Sequence, residues 1–282
     1  MKKIKTIIII LISIILIIIY ARFIATSGLI TKEYTIYSDK LPYSYNGLKI
    51  VHFSDLHYGS VITSQRLKKI VDEINLINPD IVIFTGDLFD KSLKTDDKLV
   101  ETISKQLKSI SAKYGKYTIM GNHDYEENKS EIEKIYKNSN FTLLNNQYDI
   151  IINKEKDKIY LGGIDDTLLG NPDIKSTTSY LKENNDTYSI ILVHEPDYSD
   201  NILKEQEVDL ILSGHSHNGQ VRIPIIGALY TPNGAKKYYK NYYTINNTKL
   251  YISSGIGNTD LNLRLFNRPS INFYRINTKK DS

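Results

Sequence analysis

A chain of 282 residues with 24% charged and 41% hydrophobic side chains and a formal charge of +4 has the make-up of one or two ordinary globular domains. Its lysines are interspersed with Asp and Glu, with no arginine-rich arm or dense basic block, which disfavours nucleic acid as a main partner. There is no cysteine, so disulfides and thiolate ligands are excluded, and any metal must rest on His, Asp, Glu or Asn.

The N-terminus is a targeting or anchoring segment. Lys2, Lys3 and Lys5 precede an apolar run from Ile7 to Ile19, which Tyr20 closes before Arg22. A full span needs roughly 17–25 residues. Tyr20 and the flanking Lys and Arg extend this run by sitting at the two interfaces. Residues 1–26 are therefore expected to form a single-pass membrane anchor. Cleavage near Ala25-Thr26-Ser27, giving a secreted protein, is the alternative. Three Lys before the run against one Arg after it would keep the N-terminus cytoplasmic and put the rest of the chain outside.

Residues 27–46 read as a polar, Tyr-rich lead-in, in which Tyr34 and Ile36 suggest an edge strand joining the core sheet. Residues 47–282 read as one folded domain, whose strand ends carry the polar clusters that mark it as catalytic. Pro42 and Gly47 mark turns before a first core strand, Leu48–Phe53. Ser64 is the expected cap of a helix with Leu67, Ile70, Val71, Ile74 and Ile77 at helical spacing, ended by Asn78-Pro79-Asp80. Ile81–Phe84 is a buried strand. Thr95–Ser111 is a second amphipathic helix, and Tyr117–Met120 a third strand. This βαβαβ alternation predicts a parallel sheet covered by helices. A short helix over Glu131–Lys137 and strands around Thr142, Ile150 and Ile159 follow, the last closed by Gly162-Gly163. Ser176–Glu183 is expected to be helical. Ile190–Val193 and Leu210–Ser213 are further buried strands, and the chain from Gln220 onward is β-rich. Tyr238–Tyr243 fits an edge strand or the lining of a lipid or nucleobase pocket.

Five apolar runs end in polar clusters: Asp55/His57, Asp87, Asn122/His123/Asp124, His194 and His215/His217. On an extended backbone residues two apart point the same way, which would bring Asp55 and His57 to one point. Ligand sites of open α/β sheets lie outside the carboxyl ends of the strands, so all five clusters fall on one rim. Of six histidines, five belong to these clusters and only His52 is left over. One such cluster is ordinarily a turn or a cap. So many neutral or anionic N and O donors on one rim call for cations, and two divalent metals explain them together.

The set Ser54-Asp55-Leu56-His57, Gly86-Asp87, Gly121-Asn122-His123-Asp124, His194 and Gly214-His215-Ser216-His217 resembles the calcineurin-like metallophosphoesterase superfamily. Gly219-Gln220-Val221-Arg222-Ile223-Pro224, Ser254-Gly255-Ile256-Gly257, Arg264 and Arg268-Pro269 are similar to its bacterial YkuE/YaeI-like branch. Asn218 stands where that branch usually has Gly, and Ser270 where it usually has Glu. The resemblance implies a four-layer αββα sandwich, an α/β fold, preceded here by the hydrophobic helix. It implies a dinuclear centre of Mn, Zn or Fe, with Asp55, His57 and His217 on one ion, Asn122, His194 and His215 on the other, and Asp87 bridging.

The chemistry expected is hydrolysis of a phosphoester or pyrophosphate bond by a metal-bridging hydroxide. His123 would protonate the leaving group, and Asp124 would orient His123 and raise its pKa. Arg222 and Arg264 are candidate phosphate contacts, with a solvated or salt-bridged cation on a β-rich surface as the alternative. The substrate would be a phosphorylated small molecule or a lipid- or envelope-linked phosphate. The alternative is a weakly active scaffold of the same fold, binding partners at the membrane.

Overall fold

A computed structural model describes residues 2–91, 93–126, 129–259 and 261–279. The N-terminal run forms α1 (Lys2–Ile19), followed by a π-helical turn, Tyr20–Ile24. No residue of α1 is buried. Lys2–Ile24 is long and apolar enough to cross a membrane. Only the foot of this helix packs on the rest of the chain. Ala21 and Ala25 are buried there, and the Ala21 carbonyl accepts the Arg264 N–H at 3.0 Å.

The lead-in supplies β1 (Ile30–Ser38), and β2 (Leu48–Phe53) opens the alternation read from sequence. It is followed by α2 (Ser64–Ile77), β3 (Ile81–Phe84), α3 (Asp97–Lys108) and β4 (Gly115–Thr118). Two short helices, α4 (Asn122–Glu126) and α5 (Lys129–Asn138), precede β5 (Thr142–Leu143), β6 (Gln147–Ile152) and β7 (Lys158–Gly163). Then come α6 (Ile174–Thr177), β8 (Ser189–Leu192), α7 (Ser199–Glu205) and β9 (Leu210–Ser213). A small hairpin of β10 (Arg222–Ile223) and β11 (Gly227–Ala228) is followed by β12 (Tyr242–Ile245), β13 (Thr248–Ile252) and β14 (Ser270–Thr278).

Two six-stranded sheets result, in the orders β1-β14-β2-β3-β4-β5 and β12-β13-β9-β8-β7-β6. The strands β2 to β5 run parallel, as do β7, β8, β9 and β13, while β14 is antiparallel to β2 and parallel to the edge strand β1. Side-chain alternation along the strands builds the layers. Ile81 and Ile83 of β3 join Ile190 and Leu192 of β8 and Leu210 and Leu212 of β9 in the core between the sheets. Val82 and Phe84 face the other way, onto Leu67, Ile70 and Ile74 of α2 and Ile103 of α3. Ile191 and Ile211 pack with Ile202 of α7 on the outer face of the second sheet. The fold is thus the expected αββα sandwich.

Several boundaries shift. The cap of α2 is Thr63, not Ser64: Thr63 is extended and its side chain accepts the Arg66 N–H. The third strand begins at Gly115 and its register with β3 ends at Thr118 opposite Phe84, beyond which only the Ile119 N–H still donates to the Phe84 carbonyl, at 3.2 Å. Ser176–Glu183 is not one helix; α6 is followed by a 3₁₀ turn over Ser179–Lys182. Tyr242 and Tyr243 begin the edge strand β12, while Tyr238 is buried against the second sheet.

Candidate metal centre

The parallel strands β2, β3 and β4 of one sheet and β8 and β9 of the other end on a shared rim, and each is followed by one expected cluster. The backbone there is unusual. Asp55, His57, Asp87, His215 and His217 have φ of 52°, 41°, 61°, 64° and 46°. Left-handed conformations cost L-residues roughly 1–2 kcal/mol each and gather where surrounding structure holds them. Asp55 and His57 therefore do not converge through an extended strand, as their spacing suggests. Both lie beyond Phe53, in a loop curled back over the rim.

The loops interlock closely. The N–H groups of Asp55 and His57 donate to the Gly86 and Asp87 carbonyls at 3.0 and 3.2 Å. The Asp55 carboxylate accepts the His215 N–H at 3.0 Å. A Cβ on Gly214 would collide with Ser54 Oγ and stand 2.7 Å from Asp55 Oδ2, so glycine is required where the two sheets' loops meet.

Three sets of ligand atoms lie within 4.8 Å of one another: Asp55/His57/His217, His57/Asp87/His123 and Asp87/His194/His215. His217 Nε2 is 3.3 Å from Asp55 Oδ1, and His194 Nε2 is 3.2 Å from Asp87 Oδ2. Asp87 Oδ2 also lies 3.7 Å from His57 Nε2, so this carboxylate stands between the two outer sets. Asp87 Oδ1 accepts the His123 N–H at 3.0 Å.

Second partners orient the rings. His194 Nδ1 meets the Thr85 carbonyl at 2.5 Å, and His215 Nε2 meets the Asn233 carbonyl at 2.7 Å. A carbonyl only accepts, so each of these nitrogens carries a proton, and in the neutral ring the other nitrogen offers its lone pair to the rim. Burial pushes His57 down to about 3 and His215 down to about 4, which keeps both in the neutral, ligating form. Burial also works to lower His194, but the neighbouring Asp87 outweighs it and holds His194 well above the usual range. Asp55 and Asp87 are depressed despite burial, Asp55 chiefly by His217 and Asp87 chiefly by His194.

These groups fit divalent cations. His57 Nε2 and His217 Nε2 face each other at 3.2 Å. Asn122 Oδ1 is buried without a hydrogen-bond partner, and His194 Nε2 meets only the Asp87 carboxylate. Orphaned lone pairs of this kind, aimed at one region with two carboxylates, are the donor set of an N/O metal site.

His123 sits at the mouth, its side chain 17% exposed and its ring 4.9 Å from that of His57. Asp124 does not orient it. Residues 122–126 form the short helix α4, in which successive side chains diverge and i, i+3 residues are neighbours. The carboxylate beside His123 is accordingly Glu126, with Oε2 at 3.2 Å from Nδ1. Asp124 is buried and accepts the N–H groups of Asp87, Leu88 and Gly121 at 2.9, 2.8 and 2.9 Å. It ties the loop after β3 to the start of α4. Burial, then the Asp87 charge, push its carboxyl up to about 7.

The two arginines separate. Arg264 is fully buried and has no exposed face toward a substrate. Its guanidinium donates to Asn258 Oδ1 and to the carbonyls of Ser254, Gly255 and Gly257, and Nη2 lies 3.3 Å from His217 Nδ1. It packs behind His217 rather than in front of the metals. Arg222 lines a second cavity at the foot of α1, away from the rim. His52 is a satisfied core residue, between Thr85 Oγ1 and the Tyr274 hydroxyl. Asn218 has φ 51°, a conformation that favours glycine, and its amide donates to Asn241, Ile252 and Ser254. Ser270 is buried with an unpartnered hydroxyl.

Sequence reading missed Glu126, Asp166 and Glu195. The last two are buried beside His194. Glu195 accepts from Thr167 N and Oγ1, and Asp166 is pushed up to about 8 by burial and then by Glu195. Glu195 follows His194 directly, which was the one signal available for it.

A cavity of about 580 Å³ opens on the rim. Asp87, Asn122, His123 and His215–His217 form its floor, and Val221, Leu229, Tyr230, Pro232, Leu261 and Leu263 form an apolar wall.

A double-sheet α/β sandwich with clustered His and Asp donors at the carboxyl ends of its strands is the architecture of a metallophosphoesterase. The chain belongs to the calcineurin-like phosphoesterase family, whose model matches residues 48–219. It is 35% identical over 260 residues to the uncharacterized metallophosphoesterase YkuE of Bacillus subtilis, covering 91% of this chain and 88% of that protein. A transmembrane protein with metallophosphoesterase domain from Danio rerio is 28% identical over 248 residues, covering 83% of this chain and 54% of that one. The fold is also similar to that of a 5'-nucleotidase precursor from Thermus thermophilus, with a TM-score of 0.50 at 14% identity, covering 74% of this chain and 49% of that structure.

Proposed function

We propose that the chain is a membrane-anchored phosphoesterase that depends on two divalent cations, with residues 1–26 as anchor and residues 47–282 as the catalytic unit. The observation that carries this reading is the convergence of Asp55/His57/His217 and Asp87/His194/His215, together with the orphaned Asn122 Oδ1. Asp55, His57 and His217 would hold one cation. Asn122, His194 and His215 would hold the other, with Asp87 between them. When bound, the cations supply an activated water and a positive grip on the phosphoryl oxygens.

The chain's own residues do the rest. Thr85 and Asn233 fix two ring orientations through their carbonyls. Arg264 positions His217 from behind. Asp124 holds the Asp87 loop and the start of α4 in one geometry. His123, at the cavity mouth, is placed to give a proton to the leaving oxygen, with Glu126 at its Nδ1.

The apolar wall favours a phosphate carried on an apolar or lipid body. Leu229, Tyr230 and Leu261 of this lining are exposed. The loop that supplies Leu261 and Leu263 to this wall also binds the foot of α1 through Arg264 N–H. An anchored enzyme with an apolar mouth is suited to a lipid- or envelope-linked phosphoester or pyrophosphate. The three N-terminal lysines favour a catalytic unit outside the cytoplasm.

The test is turnover of bis(4-nitrophenyl) phosphate and 4-nitrophenyl phosphate by the full chain, metal-free and loaded with Mn, Zn or Fe. Metal-dependent turnover that Asp87→Ala abolishes and His123→Ala slows without loss of metal supports the reading. Two metals bound with no turnover of either ester sinks the claim of general phosphoesterase activity and favours the scaffold.

A further inference from the structure

A second cavity, of about 290 Å³, opens at the foot of α1. Lys32, Arg222 and Arg268 line it together with Tyr20, Ala25 and Phe266, and among the described residues no carboxylate does. Among the described residues, neither the Arg222 nor the Arg268 guanidinium is held by an ion pair or a side-chain hydrogen bond. The Lys32 ammonium uses two of its three N–H groups, on Ser254 Oγ at 2.5 Å and Asn241 Oδ1 at 3.3 Å. Among the described residues, three cations thus share one concave site without a counter-ion. Lys32 is pushed down to about 8, chiefly by burial and then by Arg264 and Arg222.

The surroundings say what kind of anion suits this site. Tyr20 ends the apolar run, and Phe23, Ile24 and Phe266 are 65%, 53% and 69% exposed. Those apolar groups lie around the foot of Lys2–Ile24, the one helix among the described residues long and apolar enough to cross a membrane. Phosphate groups of lipids lie at the level where such a helix leaves the hydrocarbon, and Arg pairs with them in bidentate fashion. We propose that this cavity receives the anionic headgroup of a membrane phospholipid, with Arg222 and Arg268 on its phosphate and Lys32 donating from the floor. The proposal rests on α1 being a membrane anchor. It gives Arg222 a lipid phosphate in place of the substrate phosphate.

Two experiments test it. In the first, the full chain is mixed with neutral phosphatidylcholine vesicles and floated. Failure to float refutes the anchor and the headgroup site with it. In the second, the full chain in neutral detergent is titrated with short-chain phosphatidylglycerol, short-chain phosphatidylcholine and inorganic phosphate, and the thermal midpoint is followed by circular dichroism. Phosphatidylglycerol is expected to raise the midpoint saturably and more strongly than phosphatidylcholine. Arg222→Gln/Arg268→Gln is expected to raise its half-saturation concentration by about tenfold or more, and Arg222→Lys/Arg268→Lys to restore part of the loss. Unchanged metal content in both variants, by elemental analysis, keeps this result separate from the fate of the metal centre. A phosphatidylglycerol response that ignores the arginines refutes the site, even where the chain floats. An arginine-dependent response to inorganic phosphate as strong as that to phosphatidylglycerol refutes a lipid headgroup and leaves a small-anion site.

Discussion

Replacing Asp124 by Asn tests how the rim is held. The buried carboxylate accepts three backbone N–H groups, two on Oδ2 from Asp87 and Gly121 and one on Oδ1 from Leu88. In the best orientation the Asn carbonyl keeps the pair on Oδ2, and its NH₂ then faces the Leu88 N–H, donor against donor. One charge-assisted hydrogen bond is lost at about 1.5–3 kcal/mol, and a buried N–H is left unpaired at about 1–3 kcal/mol. A total of about 2.5–6 kcal/mol corresponds to a fall of roughly 5–24 °C in the thermal midpoint at about 2–4 °C per kcal/mol. The assay is thermal unfolding of metal-loaded wild type and Asp124→Asn at pH 8, above the value of about 7 to which Asp124 is pushed, so that the carboxylate is ionised. Cation affinity is expected to fall alongside, because the tie carries Asp87 and the start of α4. An unchanged midpoint, with a slower kcat and a displaced alkaline limb in its pH profile, would refute this. It would mean that Asp124 acts through His123 after all.

Gly214→Ala drives a methyl into Ser54 Oγ and toward Asp55 Oδ2. Elemental analysis is expected to show metal content falling from about two ions toward one per chain as the Asp55/His57/His217 set is lost; retention of both ions at wild-type affinity contradicts the close approach. Removing the cations with a chelator is expected to lower the thermal midpoint and abolish turnover, since saturation at about 1,000 times Kd stabilises by about 4 kcal/mol per site. A midpoint indifferent to the chelator would deny that the rim binds metal. Lys32 has a folded pKa of about 8, below its ordinary 10.5. The folded state therefore holds fewer protons than the unfolded one between those values, and stability rises with pH across that window. The penalty is full below pH 8. Lys32→Met is expected to remove this slope, read as denaturant midpoint against pH from 7 to 10; parallel profiles for the two proteins would show that Lys32 is not the source.

Much of this molecule was legible because its strands are buried on both faces. Ile81–Phe84, Ile190–Val193 and Leu210–Ser213 are apolar runs with turn residues at their carboxyl ends, so strand, rim and cluster could be read together. What lay hidden depends on backbone geometry that no side-chain pattern encodes. The helical turn at residues 122–126 sends Asp124 inward and brings Glu126 beside His123. The left-handed loop at Asp55 and His57 replaces the extended strand end that their spacing suggested. Arg264 reads as a surface cation until the loop around it is seen to offer three carbonyls to its guanidinium. The Thr85 and Asn233 carbonyls that orient His194 and His215 belong to the main chain and leave no mark in residue identity.

The most direct measurement is anomalous diffraction from crystals of the full chain grown with Mn or Zn. Two peaks roughly 3.5–4 Å apart are expected. One should lie within reach of Asp55, His57 and His217, the other within reach of Asn122, His194 and His215, with Asp87 between them. A single peak, or peaks away from these residues at saturating metal, would contradict the dinuclear centre on which the proposed activity depends.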